Sequence, residues 1–198
     1  MEAFLASFAM VAIAEIGDKT QLLSFVLAAR FRGRHWAIIS GIFAATLANH
    51  FVAALLGDWI GASVDPVAMR WILGIGFLGF AVWALIPDRL SEDEEGGRSF
   101  GAFATTLIAF FLAEMGDKTQ LATVALGARY ASLWMVVVGT TLGMMVANVP
   151  AVLLGERLTR YVPMSKVRFL AAAIFAVFGL LILADADMGL GMGRPAPG

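Results

Sequence analysis

Ala14-Glu15-Ile16-Gly17-Asp18-Lys19-Thr20-Gln21-Leu22 recurs ninety-nine positions later as Ala113-Glu114-Met115-Gly116-Asp117-Lys118-Thr119-Gln120-Leu121, and only Ile16 and Met115 differ. Each copy lies near the middle of an apolar stretch. From Phe4 to Ala29, and again from Gly101 to Ala128, the motif residues are the only charged ones. About 20 apolar residues span the hydrocarbon core of a bilayer as helix, so both stretches are long enough to cross. Glu, Asp and Lys are therefore expected twice at membrane mid-depth. Each such charge costs about 2.5–3.5 kcal/mol at the centre of a lone helix, and six together on the order of 15–20 kcal/mol. Folding alone does not require that cost, so the pattern points to function.

The surrounding composition agrees. The 198 residues are 60% hydrophobic and 15% charged, against about 25% charged in soluble domains, which defines an integral membrane protein. The net charge of −1 and the lack of a basic patch leave nucleic acid without a footprint. There is no cysteine, which excludes disulfides, thiolate metal sites and a cysteine nucleophile. The amino terminus lacks the basic region of a secretory signal and reads as the first membrane helix. With no transit-peptide extension visible, a bacterial inner membrane is expected.

Apolar runs at 4–29, 36–57, 68–87, 101–128, 133–155 and 167–185 predict six helices. The repeat extends beyond the motif: Arg30 pairs with Arg129, Asn49 with Asn148, Arg70 with Arg168 and Phe77 with Phe175, at offsets of 98 or 99. Three helices per copy is an odd number, so the second copy enters the membrane from the opposite side. The expected fold is thus all-α: six transmembrane helices as two inverted three-helix repeats, with substrate bound between the copies. The repeats cover 1–87 and 101–187, joined by an acidic linker at 88–100 and followed by a Gly- and Pro-rich tail at 188–198. Loops expected on one side carry nine Lys and Arg; the alternate loops and tail carry three. The positive-inside rule puts the nine in the cytoplasm, with both termini outside. Small residues at helix-packing spacing, namely Gly41 with Ala45, Gly139 with Gly143, Gly76 and Gly79 beside Phe80, and Ala172, Ala176 and Gly179, are expected to bring helices close.

On an unbroken helix Glu15 and Asp18 share a face, as do Glu114 and Asp117. Gln21 and Ser24 continue that stripe in one copy, Gln120 and Thr123 in the other. If the copies face each other, four carboxylates converge with amide and hydroxyl oxygens. Hard oxygen donors without Cys or His suit Mg²⁺, Ca²⁺ or Mn²⁺. Four carboxylates and two lysines leave −2, which one divalent cation neutralises. Without the cation, carboxylates crowded in a poor dielectric take up protons, and exchange of one for the other is what an antiporter does. Gly17 and Gly116 permit a local break in the helix. Lys19 and Lys118 are each expected to pair with an acid when the site is empty. Asn49 and Asn148 are further candidate ligands, with interhelical hydrogen bonding an equal account. His50 has no counterpart in the second copy and is not expected to bind the ion. The Glu92–Glu95 run reads as a solvated loop.

Glu-x-Gly-Asp-Lys-Thr, twice in a short six-helix chain with an acidic centre, resembles the Golgi transmembrane protein 165 family of cation/proton exchangers. The resemblance covers residues 1–187, and both motifs match without departure. It implies exchange of Mn²⁺ and Ca²⁺ for protons, with bacterial members chiefly exporting manganese. It also implies that Glu15, Asp18, Glu114 and Asp117 are the ligands, with Lys19, Thr20, Lys118 and Thr119 belonging to the motif. No prosthetic group is expected; the partners are the divalent cation, protons and the bilayer, with a homo-oligomer left open. Within transport, a Ca²⁺/H⁺ antiporter is the nearest rival and a passive channel another. An intramembrane enzyme acting on lipid phosphate is disfavoured, because the motifs lie deep and hold neither arginine nor histidine. Two buried Lys–carboxylate pairs that merely fix packing leave unexplained both the two acids per lysine and the duplication at matched depth.

Overall fold

A computed structural model describes residues 1–86, 101–130, 132–154 and 164–184, so the acidic linker, most of the 156–168 loop and the tail lie outside the described residues. The described elements are all helical. They run α1 (Glu2–Ala14), α2 (Lys19–Arg30), α3 (His35–Ser63), α4 (Pro66–Ala84), α5 (Ala102–Glu114), α6 (Lys118–Arg129), α7 (Leu133–Leu154) and α8 (Met164–Leu183). Three of them, α3, α4 and α7, are individually long and apolar enough to cross a bilayer. Their outward faces are apolar, with Leu47, Leu55, Ile72, Ile75, Leu142 and Val146 all exposed. That is the inverse of a soluble surface and fits a lipid solvent. Trp36 and Trp134 open α3 and α7 as exposed aromatic anchors of the interfacial kind.

Among the described residues the six apolar runs give eight helices, because the first and fourth are each interrupted. The expected runs 4–29 and 101–128 are not single helices; α1 gives way to α2, and α5 to α6, at the motif. Elsewhere the boundaries have ordinary causes. Asp65 caps α4, accepting from the N–H groups of Val67 at 2.9 Å and Ala68 at 3.1 Å, and Pro66 occupies the first helical position.

The broken helices pack crosswise. α1 lies against α7, and in the same manner α5 lies against α3; α2 also touches α7 as α6 touches α3. Each copy's interrupted helix is thereby held by the other copy's long one. Glycines set the approach. A Cβ on Gly143 would lie 2.7 Å from the Phe8 carbonyl oxygen, and one on Gly139 2.7 Å from that of Phe4. On the other side, a Cβ on Gly41 would lie 2.8 Å from the Phe103 carbonyl oxygen. Without hydrophobic drive between helices in lipid, such close backbone contact supplies much of the association.

The glycine expectation fails on α4. Gly76 and Gly79 face open space, and it is Gly74 that meets α8, against Leu183 and the Gly179 backbone. Spacing alone did not reveal which stripe was turned inward. We expect Gly143→Leu to force α1 from α7 and cost on the order of 1–3 kcal/mol, whereas Gly79→Leu is neutral. Thermal unfolding of the two variants in detergent checks the pair.

Candidate functional site

The two motifs fold alike because their glycines turn the chain. Glu15 ends α1 with its N–H bonded to the Val11 carbonyl at 3.0 Å, and Glu114 is the last residue of α5. Gly17 at φ 85° and Gly116 at φ 74° then take the left-handed conformation, which costs other L-residues roughly 1–2 kcal/mol. Asp18 and Asp117 follow in extended conformation and start α2 and α6. Each break is clasped by a glutamine one turn on. Gln21 Oε1 accepts from Gly17 N at 3.0 Å, and Gln120 Oε1 from Gly116 N at 2.7 Å. Gln21 Nε2 also donates to the Ala147 carbonyl on α7 at 3.1 Å. Both glutamines thus support the break. Gly17→Ala and Gly116→Ala are each expected to cost about 1–2 kcal/mol and to lower transport. Melting curves and flux assays on the same samples test this.

The break overturns the reasoning that put Glu15 and Asp18 on one helical face, since they stand on different helices. What assembles the acids is the pairing of the two copies. Glu15, Glu114 and Asp117 are buried, and one carboxylate oxygen from each lies within 4.8 Å of the others. Oxygen ligands sit about 2.3–2.6 Å from a divalent cation of calcium's size, so atoms on opposite sides of one ion are about 4.6–5.2 Å apart. A single ion can therefore reach all three. Thr20 donates to Glu15 Oε2 at 2.5 Å; Thr119 donates to Glu114 Oε2 at 3.1 Å and approaches Asp117 Oδ2 at 3.4 Å. These bonds orient one oxygen of each glutamate. The other oxygens, Glu15 Oε1 and Glu114 Oε1, are buried with no hydrogen-bond partner among the described residues. A buried acceptor left so is costly unless a cation or a proton serves it.

Asp18 is placed apart from that trio, with Oδ1 3.4 Å from Lys118 Nζ. Lys19 Nζ lies 3.6 Å from Asp117 Oδ1. Each lysine thus reaches across to the other copy's aspartate. Neither aspartate spends its side chain capping its own helix, a role worth about 1 kcal/mol. Both instead sit at the positive ends of α2 and α6, where the helix dipole favours their charge.

The remaining candidates are engaged around the cluster. Ser24 Oγ donates to Asn148 Oδ1 at 2.8 Å, and Asn148 Nδ2 to the Met144 carbonyl at 3.1 Å. Asn49 Nδ2 donates to the Phe111 carbonyl at 3.1 Å, and Thr123 Oγ1 to the Thr119 carbonyl at 2.7 Å. The Ser24–Asn148 and Asn49–Phe111 bonds tie α2 to α7 and α3 to α5, while the other two lie within α7 and α6. His50 is fully buried, and neither ring nitrogen has a hydrogen-bond partner among the described residues.

Fold and site together define a class: an all-helical membrane protein that gathers carboxylates and lysines from two interrupted helices into one buried cluster. The chain belongs to the family described as divalent cation/proton antiporter GDT1, which matches residues 3–92 and 102–189. It is 49% identical over 181 residues to a protein of Vibrio cholerae serotype O1 named "Putative manganese exporter", covering 91% of this chain and 90% of that one. It is 26% identical to the GDT1-like protein sll0615 of Synechocystis, covering 91% and 96%. It is 28% identical to the chloroplastic PAM71-homolog of Arabidopsis thaliana, covering 88% of this chain and 57% of that one. No solved structure matches.

Proposed function

We propose that the protein is a proton-coupled Mn²⁺ exporter of the bacterial inner membrane, working by alternating access about one central site. The observation that carries this reading is the trio of buried carboxylates contributed by both copies, two of them with an unpartnered oxygen. Glu15, Glu114 and Asp117 hold the cation in this conformation, and Asp18 joins when Lys118 releases it. Lys19 and Lys118 act as tethered counter-charges at the aspartates, keeping the site from holding bare anions while no cation is bound. The chain crosses the membrane six times as two inverted three-helix repeats, the first and fourth spans being the interrupted ones. Discontinuous helices at mid-membrane are the usual means by which transporters offer helix ends to an ion. The linker lies in the cytoplasm and both termini outside, a reading supported by the excess of Lys and Arg in the loops on one side.

Manganese is preferred to calcium as cargo because of the named Vibrio relative. Uptake of each ion into inverted vesicles with an acidic lumen is the test. Mn²⁺ should accumulate with saturation, at least as well as Ca²⁺, and collapse of the pH gradient should stop it. Flux that survives the collapse would mark a passive channel. Accumulation of neither ion would remove the reading.

A further inference from the structure

The pairings of α1 and α2 with α7 are matched in kind by those of α5 and α6 with α3, although α6 lies against α3 more extensively than α2 against α7; α4 and α8 have no such matched pairings to the broken helices. These two helices are bound closely to each other: a Cβ on Gly179 would lie 2.8 Å from the Gly74 carbonyl oxygen. An aromatic cluster completes the seam, with ring centroids of Phe77 and Phe178 5.1 Å apart and of Phe80 and Phe175 6.0 Å apart. Against the rest of the molecule, however, the pair is docked to one side. α8 packs on α1 and α4 on α6, whereas the equivalent pairings, α4 with α5 and α8 with α2, make little or no contact.

This lopsided docking treats the two breaks differently. At the first, a small, partly open pocket is lined by Ile16, Gly17, Asp18 and Lys118 from the motifs and by Ala84 and Phe175 from the pair. Ile16 and Gly17 are partly covered. At the second, Gly116 is exposed and Met115 is 57% exposed. The sequence repeat supplies a matching set of residues for the uncovered break: Met115 for Ile16, Gly116 for Gly17, Ile182 for Ala84 and Phe77 for Phe175. Ile182 and Phe77 are buried now. The same seam can therefore serve either break, with apolar side chains of equivalent position.

We propose that α4 and α8 form one rigid unit that rocks between the two breaks. In this conformation it covers the first and leaves the second open; in the counterpart it covers the second, with Ile182 over Met115. The unit swings as a body because its internal seam is built of close backbone contact and edge-to-face rings, while its contacts to α1 and α6 are sparse by comparison. In the counterpart α4 packs on α5 and α8 on α2. This inference rests on the antiporter reading and says which helices perform its alternation.

The absence of native cysteine makes the test direct. Two double variants, Ile16→Cys with Ala84→Cys and Met115→Cys with Ile182→Cys, are reconstituted in liposomes and treated with a short cleavable bis-maleimide. Gel mobility reads the cross-link, and Mn²⁺ flux is measured before and after cleavage. Both pairs should cross-link, each should abolish flux, and cleavage should restore it. Cross-linking of the first pair alone, in protein that still transports Mn²⁺, would overturn the rocking unit while leaving the antiporter intact. Cross-linking of both pairs with flux unaffected would overturn it equally. Lack of Mn²⁺ flux in the parent protein would instead remove the functional reading. Should a double variant fail to fold, single Met115→Cys provides the check: saturating Mn²⁺ or acid pH should change its rate of maleimide labelling, and a rate constant under all conditions counts against the proposal.

Discussion

Replacing Glu15 or Asp117 with Ala is expected to abolish Mn²⁺ transport and to leave a folded protein in the membrane. Both residues belong to the trio whose oxygens lie within 4.8 Å, so each variant removes a charged contact from any ion held there. Outer-sphere residues already cost metal sites about 10–100-fold when lost, so a direct ligand should cost on the order of 100-fold or more. Stability should move the other way. The trio crowds three carboxylates in a poor dielectric, and deleting one relieves repulsion that only a cation, protons or the two lysines offset. Glu15→Gln, which keeps the size and an acceptor for the Thr20 hydroxyl, should melt no lower than the parent in metal-free buffer. Vesicle flux and thermal unfolding on the same preparations give the two readings. A variant that transports normally contradicts the site; one that loses its fold points to a structural role.

The second large effect is on pH dependence. If protons and the cation compete for the same carboxylates, acidification must weaken Mn²⁺ binding. Cation binding is then fully expressed where the carboxylates are free of protons, and is lost as pH falls. Each displaced proton changes apparent affinity by up to about tenfold per pH unit, and two by up to about a hundredfold. Calorimetric titration of detergent-solubilised protein at a series of pH values gives the slope. Glu114→Gln removes one titrating group, so its slope should be shallower than that of the parent. An affinity independent of pH would separate the proton from the site and leave exchange without a mechanism.

Much of this arrangement could be read before any coordinates. Charged residues isolated in apolar runs marked the membrane and the motif together, because in lipid only a functional or paired charge persists. The duplication at offsets of 98 and 99 leads to an expectation of four converging carboxylates, of which Glu15, Glu114 and Asp117 meet while Asp18 stands apart. The helix break was less legible. Periodicity sees apolar length and not backbone direction, and only Gly17 and Gly116 hinted at it. For that reason periodicity puts Glu15 and Asp18 on one face, whereas a helix break separates them. The clasping role of Gln21 and Gln120 depends on the left-handed glycines and could not be anticipated without them. The lysine partners were beyond reach for a different reason. Lys19 adjoins Asp18 in the chain yet meets Asp117, a choice made by how two copies pack and written in neither alone. Gly74 was overlooked for Gly76 and Gly79 because small residues lie on more than one side of α4.

The central claim is that carboxylates from both copies hold one divalent ion between the two breaks. Anomalous X-ray scattering from crystals grown with Mn²⁺ tests it most directly. The account predicts a single strong peak within bonding distance of Glu15, Glu114 and Asp117. A peak bound by one copy alone, or none at the cluster while Mn²⁺ binds elsewhere on the protein, would contradict it.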